Sequence, residues 1–289
     1  MSDEQWTVGR LLTWTAGWLA EKGSDSPRLD AEVLLAHVRG CQRILLYATF
    51  DEVVPDEQRG RFRELVRRRA AGEPVAYLVG SREFFSLSFA VSPAVLVPRP
   101  ETEGLVVRGS DLCKAAVAPR IVDVGTGSAA IVVSLAKQLP QATFTATDIS
   151  PAALDIARGN AARHGVAERI EFVECDLLDS PAVAGPWDLI VSNPPYVRED
   201  EFAGLPRDVR DFEPRGALVA GPRGVELIER LAVAAAEQLA AGGWLVIEAG
   251  PSVAADVEVI LENTPGLTRG PTIKDLAGLP RIFQAQHAG

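Results

Sequence analysis

The sequence predicts an α/β protein: a parallel, doubly wound sheet preceded by a small all-helical region and a hairpin-like connector. Three changes of pattern along the chain carry that expectation. Residues 1–74 repeat their apolar positions at helical spacing only. Residues 75–100 change to a period near two, interrupted by prolines. Over residues 101–289, short apolar runs alternate with longer helical stretches, the mark of parallel strands joined by crossover helices.

In the first region Thr7 precedes Val8, Leu11, Leu12, Ala16 and Leu19, an apolar face that Gly23 ends. Ser26-Pro27 opens a second helix, with serine as N-cap, proline in the first turn and Gly40 as its stop. A short segment around Ile44-Leu45-Leu46-Tyr47 comes next. Pro55-Asp56 then starts a helix carrying Arg59, Arg61, Arg63, Arg67, Arg68 and Arg69. Such a run is either a solvated helix face or a contact for an acidic partner. In the connector, Val75–Gly80 and then Phe84–Val91 alternate as a hairpin would, and Pro93, Pro98 and Pro100 stiffen the chain up to residue 100.

The expected strands of the larger region are Arg120–Val124, Thr143–Thr147, Arg169–Glu174, Trp187–Ser192 and Gly243–Ala249, then Leu267–Ile273 and Arg281–Gln286. The expected helices are Ser128–Leu139, Pro151–His164, Val225–Ala240 and Val253–Glu262.

Composition narrows the function. A hydrophobic share of 47% and a charged share of 24% are ordinary for a globular protein. No apolar stretch approaches the roughly 20 residues that span a bilayer. The acidic start, Met1-Ser2-Asp3-Glu4, does not fit a secretory signal, so a cytoplasmic protein without membrane partners is expected. Cys41, Cys113 and Cys175 are odd in number and widely spaced, which suits reduced thiols and neither zinc nor disulfides. A net charge of −10 argues against a broad phosphate-binding surface, so nucleic acid is not expected as direct substrate.

The stretch Ser192-Asn193-Pro194-Pro195-Tyr196 organises the chemistry. The apolar run Asp188–Val191 reads as a buried strand, and two prolines without N–H donors stop its ladder. Asn193 therefore stands at a strand's carboxyl end, held by a stiff turn. Its side-chain oxygen and the Pro194 carbonyl can each accept one N–H of a planar NH2 group, and the Tyr196 ring can cover the plane. A tight proline turn with no further role is the plain alternative. It loses ground because Ile121–Ala130 upstream is a strand, a glycine turn and a helix start. Gly125 and Gly127 let the backbone pass close to a ligand at a helix N-terminus. Gly125-x-Gly127-x-x-Ala130 alone also fits a dinucleotide fingerprint. Asp148 ends the second strand, where it either accepts ribose hydroxyls or caps the helix after Ser150-Pro151. Cys175-Asp176-Leu177 ends the third. Asp123, two residues before the first glycine, suits a cationic amino group better than a pyrophosphate.

Asp123-x-Gly125-x-Gly127, Asp148 and Asn193–Tyr196 together resemble the class I S-adenosylmethionine-dependent methyltransferases acting on planar amides or exocyclic amines. Gly72–Gly80, Val97–Glu103, Asp211–Leu218 and Asp275–Arg281 are similar, more specifically, to the release-factor glutamine N5-methyltransferases. The likeness spans nearly the whole chain. It implies a seven-stranded Rossmann-like sheet, an N-terminal helical bundle that docks the substrate protein, and a β-hairpin linker. It also implies S-adenosyl-L-methionine as methyl donor, no metal, a monomer, and the glutamine of the Gly-Gly-Gln motif of peptide chain release factors as substrate. By position, Gly125, Thr126, Gly127, Ser128 and Ala129 would line the methionine part of the cofactor, with Asp123 and Asn193 close by. Asp148 would hold the ribose, and Asp176 or Leu177 would lie by the adenine. Asn193, Pro194, Pro195 and Tyr196 would grip the glutamine amide, with Leu96 helping to exclude water.

Two departures stand out. Ala129 occupies the place of a usual third glycine, and its methyl either crowds the loop or is absorbed by a small shift of the helix. The glutamine of a Glu-Ile-Gly-x-x-Gln run is absent from Glu248–Val253. His37, His164 and His287 are scattered and suggest no hydrolytic triad. The competing readings are a ribosomal-protein glutamine methyltransferase, an adenine-N6 methyltransferase, an inactive methyltransferase-fold binding module and a dinucleotide oxidoreductase.

Overall fold

The computed structural model describes residues 5–289, so the acidic start Met1–Glu4 lies outside the described residues. The chain divides into two compact units, one running through Gly80 and including Pro206–Phe212, the other holding Ser81–Leu205 and Glu213–Gly289.

The first unit contains α1 (Val8–Glu21), α2 (Pro27–Arg39), α3 (Arg43–Ala48), α4 (Asp56–Ala70) and α5 (Val75–Val79). Thr7 caps α1 by accepting the Arg10 N–H at 3.3 Å. Ser26 stands at the N-cap of α2, but its hydroxyl makes no capping bond, and Pro27 alone presets that first turn. Leu12, Leu34, Leu35, Leu46 and Phe62 close the apolar core.

Residues 75–79 correct an expectation. Their alternation predicts the first arm of a hairpin, and they form α5 instead. Pro74 sets the helix entry, Gly80 ends it in the left-handed region at φ 74°, and Ala76, Tyr77 and Leu78 are buried. A five-residue apolar run does not distinguish strand from helix by period alone. The hairpin is therefore shorter: β1 (Ser81–Phe84) pairs antiparallel with β2 (Leu87–Ala90). Phe85 and Ser86 turn it, both at positive φ (50° and 60°).

α6 (Glu103–Cys113) is not expected from sequence. Its Gly109 dilutes the helical pattern, but a side chain there would come within 3.1 Å of Leu189, so glycine permits the close approach. The sheet then builds from β3 (Arg120–Val124), α7 (Ala130–Gln138), β4 (Thr143–Asp148), α8 (Pro151–Arg163), β5 (Ile170–Glu174) and β6 (Trp187–Ser192). A side excursion comes next, with β7 (Val197–Arg198), α9 (Arg207–Phe212) and β8 (Val219–Gly221). The chain ends through α10 (Glu226–Gln238), β9 (Leu239–Glu248), α11 (Ala254–Asn263), β10 (Leu267–Arg269), β11 (Ile273–Lys274) and β12 (Pro280–His287). One strand expected over Leu267–Ile273 is in fact two, because Pro271 cannot donate to a ladder.

Seven strands lie on one path, β10-β12-β9-β6-β3-β4-β5, and the short β11 pairs with β12. The five from β9 to β5 are parallel to their neighbours, while β12 runs antiparallel to β9. Ile121, Leu189 and Val191 enter the core on one face, and Val122, Ile190 and Ile247 enter the other. Burial on both faces explains why these strands read as continuous apolar runs. Chain order reverses at β3, which has β4 on one side and β6 on the other. Such a switch point opens a crevice at the strands' carboxyl ends.

Candidate active site

The register brings the two main motifs to one level. Val124 pairs with Ser192, so the loops that start at Gly125 and Asn193 leave the sheet side by side. The buried Ser192 hydroxyl donates to the Val124 carbonyl at 2.7 Å and ties the two strand ends together.

Gly125 and Gly127 take φ values of +71° and +54°, and a Cβ at either would meet no atom within 4 Å. The loop thus presents backbone to open space at the N-terminus of α7. Below it Asp123 is fully buried. Its Oδ2 accepts the Thr126 hydroxyl at 2.7 Å, and its Oδ1 has no partner. Burial pushes this carboxyl up to about 7, against the pull of the Thr126 hydrogen bond. An open glycine cradle over an orphaned buried carboxylate oxygen fits a ligand bearing a cationic amino group.

Asp148 accepts the Gly127 N–H and the Ser150 N–H, each at 2.9 Å. The cap of α8 is the Ser150 hydroxyl, which accepts the Ala153 N–H at 3.2 Å. Asp148 therefore binds the β4 end to the glycine loop, and its oxygens retain lone pairs for a diol. Beside it Ile149 is an exposed apolar side chain that sequence reasoning missed; the signal was an isoleucine directly after the strand-ending acid. Asp176 is half-buried and paired with Arg230 at 2.6 Å. Leu177 is half-buried at φ +53°, and its carbonyl accepts the Thr147 hydroxyl at 2.9 Å.

The surroundings of Ala129 show how its methyl is accommodated. It adopts φ +64°, where glycine is at ease, yet its side chain is fully buried in the apolar core and does not crowd the loop. The departure costs about 1–2 kcal/mol of backbone strain, not ligand space. Ser128 is buried too; its carbonyl accepts Asn160 Nδ2 at 2.9 Å, and Asn160 also bonds Ala90 of the hairpin.

Asn193 donates through Nδ2 to the Thr102 hydroxyl at 3.2 Å. Glu248 at the end of β9 is buried, and its Oε2 has no hydrogen-bond partner. No donor among the described residues engages Asn193 Oδ1 or the buried Pro194 carbonyl. Pro195 is half-buried, and Tyr196 lies against Gly250, where a Cβ would come within 3.0 Å of the ring. Burial and then Glu248 push the Tyr196 hydroxyl up to about 12, so it stays protonated at neutral pH. A cavity of about 480 Å³ opens beside it, lined by Tyr196, Glu201, Leu205, Gly250, Ser252 and Arg281. Leu96 is half-buried in the connector. That connector is pinned by Glu213, which accepts from the Val97 N–H at 3.3 Å and pairs with Arg99. Asp275 caps its own loop by accepting the Ala277 and Leu279 N–H groups, and pairs with Arg281 at 3.2 Å.

Residues 10–80 match the family model "PrmC N-terminal domain", and residues 121–211 match "Methyltransferase domain". The chain is 50% identical to the release factor glutamine methyltransferase of Rhodopirellula baltica, covering 99% of this chain and 98% of that one. The chain belongs to the release factor glutamine methyltransferase family. The Chlorobaculum tepidum relative of the same name is 46% identical, covering 91% of this chain and 92% of its own. A methyltransferase structure from Pyrococcus furiosus superposes with TM-score 0.50 at 18% identity, over 77% of this chain and 97% of that chain, a likeness of fold alone. As a member of this family the chain is a methyltransferase, and S-adenosyl-L-methionine is its methyl donor. The oxidoreductase reading of the glycine loop falls away. Among the described residues no cluster suits a metal ion, and no helix is long and apolar enough to cross a membrane.

Proposed function

We propose that this chain transfers a methyl group from S-adenosyl-L-methionine to the side-chain amide nitrogen of the glutamine in the Gly-Gly-Gln motif of peptide chain release factors. The observation that carries the reading is the pair of unengaged acceptors at Asn193 Oδ1 and the Pro194 carbonyl, on a stiff turn beside the glycine loop. Two acceptors match the two hydrogens of a primary amide, and relatives at 50% and 46% identity are named for that activity.

The cofactor supplies an electrophilic methyl group on a sulfonium. Gly125–Ser128 would hold its methionine part through backbone, with the orphan oxygen of Asp123 taking the amino group. Asp148 would accept the ribose hydroxyls, and Leu177 and Ile149 offer apolar cover for the adenine, with Asp176 near. An amide nitrogen is a weak nucleophile because its lone pair is delocalised. Asn193 and the Pro194 carbonyl would fix its approach and support positive charge growing on nitrogen. Tyr196, Pro195 and Leu96 would exclude water, and the hydroxyl of Tyr196 stays too protonated to act as base.

The reading extends to partners and location. The helical unit offers a docking face for the release factor: a groove lined by Trp6, Trp14, Trp18, Arg59 and Arg63. The cytoplasm is where release factors work, and a monomer suffices because one chain supplies every residue named. With a net charge of −10, nucleic acid is a poor candidate for direct substrate.

The test uses labelled cofactor with a release factor and with its Gly-Gly-Gln glutamine changed to alanine. Label on the first alone is the expected result. Label on both, or on neither while cofactor still binds, would overturn the assignment and turn attention to a ribosomal protein.

A further inference from the structure

The cavity of about 480 Å³ shares one wall, Tyr196, with the turn that would grip the glutamine amide. Its charged lining residues are Asp200, Glu201 and Arg281. Two of the three are neutralised. Asp200 takes both arms of the Arg198 guanidinium, at 3.0 and 2.6 Å, and Arg281 pairs with Asp275 at 3.2 Å. The Glu201 carboxylate has no hydrogen-bond or ion-pair partner among the described residues. Arg198 feels its charge, but the guanidinium is committed to Asp200. The Glu201 backbone is nevertheless fixed: its N–H donates to the Arg198 carbonyl at 3.1 Å, and its carbonyl accepts the Gly204 N–H at 2.9 Å. The turn thus holds one uncompensated negative charge at a half-buried position on the cavity wall.

Much of the remaining wall is apolar, from Val197, Leu205, Pro251 and the Tyr196 ring. An aliphatic stem can lie along such a surface while a cationic head reaches the carboxylate, and the face of the ring itself attracts a cation. A lysine or arginine side chain has that build. An acidic side chain would meet repulsion at Glu201. The shared wall is seated against backbone: Gly250 has φ −75° and ψ 156°, which any residue adopts, yet a Cβ there would come within 3.0 Å of the Tyr196 ring. Because Tyr196 faces both spaces, the chain that brings a glutamine to Asn193 also passes the cavity. At about 3.3 Å per residue, an extended chain crosses a space of this size in a few residues.

We propose that the cavity is a subsite for a basic side chain of the substrate protein close to the target glutamine, with Glu201 as its specificity-determining residue. The inference rests on the reading of Asn193–Tyr196 as the grip on that glutamine.

The experiment uses full-length wild type, Glu201→Gln and Glu201→Arg with labelled cofactor. The substrates are a release factor and variants in which each lysine or arginine within about six residues of the glutamine is changed singly to alanine or glutamate. One position should stand out. Its alanine variant is expected to raise KM about three- to tenfold with kcat within about twofold, the range of a partly exposed ion pair that binds ground and transition states alike. Glu201→Gln should do the same, and the two changes together should cost no more than either alone. Glu201→Arg should lose more with the native release factor and recover most of that loss when the same position carries glutamate. Cofactor affinity by calorimetry and the melting temperature should match wild type in Glu201→Gln, which separates the effect from a folding defect. An unchanged KM in Glu201→Gln, or losses that add independently at every substrate position, would overturn the inference while leaving the activity assigned above intact. No label on the Gly-Gly-Gln glutamine with the wild-type enzyme would remove the underlying reading as well.

Discussion

Asp30 and Glu32 on α2 of the helical unit are nearly as buried as Asp123 and Glu248 in the sheet unit, but their surroundings differ. Asp30 takes the Ser24 hydroxyl and the Arg69 guanidinium, both at 2.7 Å. Burial acts to raise the Glu32 carboxyl, and hydrogen bonds from Tyr47 and Arg28 outweigh it, holding the group below its usual range. Asp123 and Glu248 each keep one oxygen with no partner, and burial dominates both, pushing each up to about 7. The helical unit meets the cost of a buried charge with its own cations. The sheet unit leaves part of that cost standing at the crevice, where a ligand or a substrate-orienting contact can draw on it.

The backbone repeats the contrast. In the helical unit the positive φ angles among the described residues fall on glycines, such as Gly40 and Gly80. In the sheet unit four other residues adopt them, and two of these, Ala129 and Leu177, lie at loops of the crevice. Strain held where the fold binds and not where it merely packs is the expected distribution for an enzyme.

The sharpest test of the contrast is Asn193→Ala. Loss of one preorganised acceptor should lower turnover about 10²- to 10³-fold, with cofactor affinity within a few-fold by calorimetry. Strong loss of cofactor binding with near-normal turnover at saturation would sink the role given to Asn193. Next comes Asp30→Ala, which removes the shorter of the two carboxylate contacts of the largely buried Arg69 and leaves it Asp208 at 3.6 Å. Denaturant melts should show about 2–3 kcal/mol of lost stability, and turnover per folded molecule should not change. A turnover defect of the same size as the stability loss would mean the two units are not separable in this way.

Asp123→Asn should move stability in the opposite direction. With a folded value near 7 and an ordinary value of 3.8, the folded protein keeps a proton that the unfolded chain gives up between those limits. Wild-type stability therefore falls as pH rises from about 4 to about 7, and the asparagine variant should lack that slope. At pH 8 the variant should be more stable by about 2 kcal/mol, less so at pH 5.5, and should bind cofactor more weakly. A variant less stable than wild type at both pH values would show that Asp123 is a structural anchor. The smallest effect is expected from Ala129→Gly. Relief of the left-handed backbone is offset by the lost methyl contact and greater freedom when unfolded, so melts should shift by less than about 1 kcal/mol.

Much of this was legible in advance where the signal is local. The β3 and β6 strands have the bounds that periodicity gives them, Arg120–Val124 and Trp187–Ser192, because a strand buried on both faces must be a short apolar run with turn residues after it. The Asn-Pro-Pro-Tyr turn was legible for the same reason. Val75–Val79 misled because five apolar residues fit either period, and burial of Ala76, Tyr77 and Leu78 decided for helix. α6 was missed because Gly109, chosen for contact with Leu189, weakens its pattern. Thr102 carried a motif but no role, since a hydroxyl's partner is a matter of distance in space.

By itself, then, the sequence determined the alternation of strands and helices, the glycine and proline loops at the strand ends, and the chemistry those loops can offer. These depend on spacing and dihedral preference within a few residues. Only the tertiary structure decided that Thr102 meets Asn193 across 91 residues. It also decided that the partnerless carboxylate oxygens, those of Asp123 and Glu248, belong to the sheet unit and not to the helical one. Hydrogen bonds and desolvation act over a few ångströms of space, and the sheet's order, β9-β6-β3-β4, is what brings those distances about.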